Sequence, residues 1–114
     1  MGAVSTQTLG ADDGAMNGAT PVTLIAAPAA SHQIANKLIT IQNRDTAAVT
    51  VTLRKVSAGG TRQLWAGSLA VGDTLLFDDV VILDDTGSSI TAVMSGAAAT
   101  TNPDWSSSWV DNTP

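Results

Sequence analysis

The chain has 114 residues, 44% of them apolar and 13% charged, and its net charge is −5 with no cysteine. That length suits one domain. The charge weighs against DNA or RNA as a direct ligand, since phosphate binding needs clustered Lys and Arg; no disulfide or thiolate-bound metal is available, and no apolar run reaches the ~20 residues of a membrane helix. Every acidic residue is Asp, and Lys occurs only at Lys37 and Lys55. Asp prefers turns and caps, whereas the Thr that fills many polar positions suits a pleated strand, so composition alone argues for β structure.

Residues 1–20 are rich in Gly, Ala and Thr, with turn signals at Asp12-Asp13-Gly14 and Asn17-Gly18 and isolated apolar residues Val4, Leu9 and Met16. They lack the basic and apolar regions of a signal peptide. Such a segment cannot offset an ordering cost of ~1.5 kcal/mol per residue by itself, and it reads as an N-terminal arm that orders only against a partner. Residues 21–27 read as a first strand, which Pro28 either ends or places at a sheet edge. Residues 36–43 alternate Ile39 and Ile41 with Thr40 and Gln42. Residues 48–56 alternate Val49, Val51 and Leu53 with Thr50, Thr52 and Arg54. The polar connection Asn43-Arg44-Asp45-Thr46 makes an antiparallel hairpin of these two runs the default reading.

A further strand is expected over residues 62–69, with Leu64, Ala66 and Leu69 toward the core. Residues 74–77 form a short strand, and the apolar run Val80-Val81-Ile82-Leu83 is too short for a helix. The last alternation covers residues 88–95, with Ile90, Ala92 and Met94 on one face. Turns recur about every ten residues, as in a β-sandwich or small barrel. The expected fold is a small antiparallel β-sandwich, Ig-like or jelly-roll-like, over residues 21–99, with extended arms at 1–20 and 100–114. Trp105 and Trp109 lie in the second arm. They pack either on the domain's own sheet or on a neighbouring subunit, where tryptophan is a frequent hot spot.

No group of residues suggests chemistry. His32 is the only histidine, and no Cys stands ready to pair with it for nucleophilic catalysis or zinc. The pairs Asp12-Asp13, Asp78-Asp79 and Asp84-Asp85 match no EF-hand loop, which ends on a Glu that this chain lacks, so no metal is expected. Gly59-Gly60 is followed by no Lys-Ser/Thr pair and forms no phosphate loop. Arg54-Lys55 and Arg62 could meet across a hairpin as a small basic patch. The chain is therefore expected to bind and assemble, without catalytic residues or cofactors. The candidate interface residues are Trp105, Trp109, Leu9, Met16, Val4, Arg54 and Arg62.

About half of the chain, residues 39–97, resembles small structural proteins of tailed bacteriophages. The resemblance is carried by Ile39-Thr40-Ile41-Gln42-Asn43-Arg44-Asp45-Thr46 and Val49-Thr50-Val51-Thr52-Leu53. It continues through Leu69-Ala70-Val71-Gly72-Asp73-Thr74 and Ile82-Leu83-Asp84-Asp85-Thr86-Gly87-Ser88-Ser89-Ile90-Thr91-Ala92. It implies a virion component: a capsid decoration (cement) protein on the outer capsid surface, partnered by the major capsid protein and clustered as a homo-oligomer, typically a trimer. A tail, neck or fibre accessory protein is the alternative within the same kind of particle. A carbohydrate-binding or adhesin sandwich is the alternative of another class, with Trp65, Trp105 or Trp109 stacking on sugar rings.

Overall fold

The computed structural model describes residues 6–113. They form nine strands: β1 (Thr6–Ala15), β2 (Val22–Ile25), β3 (Gln33–Gln42), β4 (Val49–Ser57), β5 (Gly60–Leu69), β6 (Thr74–Phe77), β7 (Ile82–Leu83), β8 (Ser89–Met94) and β9 (Asp104–Thr113). Two antiparallel sheets result. Sheet I runs β1-β9-β3-β6, with β7 also pairing β3; sheet II runs β2-β8-β4-β5. Period-two alternation aims one side of each strand at the other sheet. Ile34, Ile39 and Ile41 of β3, Leu75 and Phe77 of β6 and Leu83 of β7 supply sheet I's buried side. Val49, Val51 and Leu53 of β4 and Ile90, Ala92 and Met94 of β8 supply that of sheet II. The expected antiparallel sandwich is the observed fold.

Its connectivity differs from the expected one. β3 and β4 form no hairpin: β3 pairs β9, β6 and β7, whereas β4 pairs β5 and β8. The segment between them crosses from one sheet to the other, and its polar side chains turn inward. Asn43 Nδ2 donates to the carbonyls of Ala47 and Leu69, and its Oδ1 accepts from the Asp45 N–H. Asp45 is only 3% exposed, and its carboxylate accepts the N–H groups of Ala99, Thr100 and Thr101. Both residues therefore hold loops together at a sheet-to-sheet corner.

The two terminal segments differ from the expected arms in the same way. Residues 104–113 are β9, the strand between β1 and β3, and residues 6–15 pair it over ten consecutive positions from Thr6↔Thr113 to Ala15↔Asp104. The glycines explain how so polar a segment holds its place. Gly10 stands opposite Trp109 and Gly14 opposite Trp105, so each indole lies across a residue with no side chain. A Cβ on Gly10 would run into Cε2 and Nε1 of Trp109, and one on Gly14 would sit 3.0 Å from Trp105 Cζ2. Aromatic cover of a strand glycine on the facing strand is a known way to stabilise and register a sheet.

Smaller differences have local causes. Leu69 is on the core side as expected, but a register shift between Leu53 and Arg54 turns the β5 alternation, leaving Ala66 exposed and putting Trp65 on the core side with Leu64 half-buried. Of the apolar run at 80–83, only Ile82–Leu83 enters the ladder, and Val80 is exposed.

Candidate functional site

The outer faces of the two sheets are chemically unlike. On sheet II the residues pointing away from the core include Thr23, Thr91, Arg54 and Gln63, then Thr52, Val93 and Ala66, then Thr50 and Ser68. On sheet I, the register builds an apolar row across four strands: Leu9 of β1, Val110 of β9, Ala35 of β3 and Ile82 of β7. Leu38 stands in the next row beside Ser108, and Leu76 two rows on, opposite Thr40. Leu9 is 75% exposed, Leu76 66%, Leu38 38% and Ile82 36%. Isolated exposed apolar residues are ordinary, but four on one face make this the more apolar of the two outer faces and the candidate site.

Leu38 joins this face because β3 carries a bulge at Lys37, between Asn36 and Leu38. Without it, the alternation that buries Ile34 would bring Leu38 into the core and turn Ile39 and Ile41 outward. Acidic groups on this face are Asp13 of β1 and Asp104 of β9, and the exposed Asp78 and Asp79 follow β6. Asp104 forms a 2.6 Å ion pair with Arg44. The hydrogen bond to Asp104, and then its charge, hold the Arg44 pKa above its ordinary value. Asp45, by contrast, is tied down by hydrogen bonds from backbone N–H groups, Thr100 first, and these push its carboxyl well below the usual carboxylate range against the opposing cost of burial.

The expected interface residues scatter. Leu9 lies on the apolar face of sheet I. Met16 is 1% exposed and belongs to the core, so it is a packing residue and no interface contact. Trp105 is buried and Trp109 half-buried, both packed on their own domain. Arg54 and Arg62 do lie on one hairpin, with Lys55 opposite Arg62 and Arg54 opposite Gln63. The Lys55 ammonium donates to the Ile82 carbonyl and is thereby drawn away from any basic patch. Val4 lies outside the described residues. Leu38, Leu76 and Ile82 escaped sequence reasoning. Leu38 and Ile82 read as ordinary strand residues, and only the Leu75-Leu76 doublet in a period-two strand signals that one of the pair must face out.

Among the described residues, no group of three or more His, Cys, Asp or Glu is placed to hold a metal ion. His32 Nδ1–H donates to the Asp111 carboxylate at 2.9 Å and lies near Thr113 Oγ1, both far from it in sequence. It fastens the loop before β3 to the end of β9. With Trp105 covered and Trp109 lying over Gly10, the described residues offer no pair of open indoles for stacking on sugar rings.

No protein-family model matches the sequence, and no curated protein matches it. Solved structures share the fold. A chain from "Bacillus endospore appendages form a novel family of disulfide-linked pili" superposes with TM-score 0.57 at 19% identity, covering 96% of this chain and 87% of that one. A chain from the structure of infectious bursal disease virus, Gx strain, gives TM-score 0.53 at 12% identity, covering 96% of this chain and 33% of that one, so this chain spans about a third of the viral one. A chain of the cyanophage Pam1 capsid asymmetric unit superposes less well, with TM-score 0.48 at 18% identity over 96% of this chain and 85% of that one, and adds nothing to the fold assignment. At these identities the likeness is one of fold: the chain is an antiparallel β-sandwich of a kind found in a virus particle and in a pilus.

Proposed function

We propose that the chain is a virion structural protein, a capsid decoration protein of a tailed bacteriophage that docks on the outer capsid surface and ties neighbouring capsomers together. One observation carries the reading: the outer face of sheet I gathers Leu9, Leu38, Leu76 and Ile82, while the outer face of sheet II is rich in Thr. A protein that must lie on a surface needs one face for the surface and one for water. The phage-like segments at residues 39–97 support the kind of particle, and the acidic groups of sheet I's outer face suit a basic partner surface. The partner is the major capsid protein, the chain acts as a homo-oligomer, and no catalytic step is involved.

The test is binding of the purified protein to undecorated capsids, with Leu9→Ser and Leu76→Ser as variants. Both should fold as the parent does and bind at least tenfold more weakly. Parent-like binding by both variants would remove sheet I's outer face as the docking surface. Absence of any capsid binding would remove the decoration role. Copy number separates a tail or neck part from a decoration protein, since the former is present in far fewer copies per virion.

A further inference from the structure

β1 is an edge strand of unusual openness. It pairs β9 on one side, and among the described residues nothing pairs its other side. The remaining edges are blunted. β2 and β6 are four residues long, β7 is two, and β5 carries a bulge at Leu64 and a cation at Arg62. Natural sheets use short strands, bulges and inserted Lys or Pro to prevent unwanted pairing. β1 has ten residues, no Pro, no Lys, and no register shift along its length.

The open groups can be named. Met16 N–H donates to the Pro103 carbonyl on the β9 side. Antiparallel alternation then directs the N–H and C=O of Gly14, Asp12 and Gly10 toward β9, and those of Asp13, Ala11 and Leu9 toward the open edge. Consistently, the Asp13 N–H donates to the neighbouring Asp12 Oδ1 and not to a strand. The two carboxylates point to opposite faces. Neither takes part in an ion pair among the described residues, where the pairs are His32–Asp111 and Arg44–Asp104.

We propose that β1 accepts an added antiparallel strand from a protein partner, a segment with two adjacent Lys or Arg residues followed, after two residues, by an apolar one. Antiparallel pairing sets the spacing. Two neighbouring residues of the added strand face Asp13 and Asp12, and the residue three beyond the second of them faces Leu9. Directly opposed residues share a face, so the apolar one lengthens the row Leu9–Val110–Ala35–Ile82. The carboxylates select the occupant. A second copy of this chain pairing edge to edge would bring four Asp side chains into one ribbon, whereas a basic segment neutralises them. Main-chain bonds supply affinity and the side-chain pattern supplies choice, as in other strand-addition complexes. The inference deepens the docking role proposed above, and rests on it only for the source of the segment.

The experiment uses the full chain and two synthetic peptides, one containing Lys-Lys-Thr-Thr-Val and one with both lysines replaced by glutamate, read by residue-resolved amide hydrogen exchange. With the lysine peptide, exchange at Leu9, Ala11 and Asp13 should slow at least tenfold, while Gly10, Asp12 and Gly14 change little. The glutamate peptide should have no effect. Ala11→Pro removes an edge-directed N–H without touching the β9 ladder; it should keep the parent's circular dichroism and abolish the protection. Asp12→Lys with Asp13→Lys should transfer the response to the glutamate peptide. The proposal is overturned if neither peptide slows exchange, if both do so equally, or if the odd-numbered amides of β1 are protected by raising the concentration of the chain alone. Peptide binding without capsid binding would leave this inference standing and sink the decoration role; the reverse result would do the opposite.

Discussion

At the scale of single residues, the contacts that decide the fold are a few side chains placed against absences. Gly10 and Gly14 matter because an indole occupies the space where a side chain would stand. Gly10→Val should force Trp109 off its position and cost about 1–3 kcal/mol, the usual penalty of overpacking, seen as a lower thermal midpoint and faster amide exchange along β1. Trp105→Ala should cost about 3–5 kcal/mol, while Trp105→Phe, which keeps a ring over Gly14 and removes an indole N–H that has no partner among the described residues, should cost much less. Asp45 carries the acid response. Its folded carboxyl holds its charge to lower pH than an unfolded Asp does, so the folded state binds fewer protons in that interval. Its contribution is complete above the unfolded pKa of ~3.9 and is lost as pH falls below it toward the lower folded value. Urea midpoints followed from neutral to strongly acidic pH should therefore fall less steeply in Asp45→Asn, which starts from a lower stability.

At the scale of elements, alternation revealed strands but not their partners. Val49, Val51 and Leu53, and likewise Ile90, Ala92 and Met94, are inward residues wherever their strands pair, so their burial was legible. Period two is silent about which strand lies alongside. The string Asn43-Arg44-Asp45-Thr46 looks like a hairpin turn because corner-making and turn-making use the same short polar side chains. The terminal segments were hidden for another reason: β1 buries no large side chain of its own and borrows its cover from β9. One signal was present. The glycines at 10 and 14 and the tryptophans at 105 and 109 share a four-residue spacing, which an antiparallel pair brings into register at both points together. Of the exposed leucines on the outer face of sheet I, Leu9 stood out in the sequence as an isolated apolar residue, while the place of Leu38 depends on the β3 bulge that composition does not announce. The ladder makes unequal demands on the two terminal strands. Removing residues 1–15 takes an edge strand and should leave a folded, less stable sandwich. Removing 104–113 takes Trp105 and the strand that joins β1 to β3, and should abolish chemical-shift dispersion in NMR spectra.

At the scale of the whole molecule, the sandwich is long and narrow, with extents of 58 × 25 × 18 Å. Its two broad outer faces differ in chemistry while its inner faces form one core, so the residues of the core and those of the proposed docking face are separate. Leu9→Ser and Leu76→Ser test that separation: surface changes of this kind are expected to stay within ~0.5 kcal/mol of the parent in denaturant titrations. Most pairings join segments far apart in sequence, β1 with β9 and β3 with β9 above all. Loop closure must precede such contacts, so refolding from denaturant should lie in the slow, millisecond-to-second range of β-sandwiches.

The pairing of β1 with β9 has a mechanical side. Thr6 and Thr113 stand opposite each other, so the first and last described residues leave the molecule side by side. A force that separates those two points loads the ladder one rung at a time, and the strands unzip under a small tension. A force transmitted along the axis of β1 by a strand lying against its edge loads many rungs in shear together. The same strand is thus a weak handle when pulled from its end and a strong one when gripped along its length.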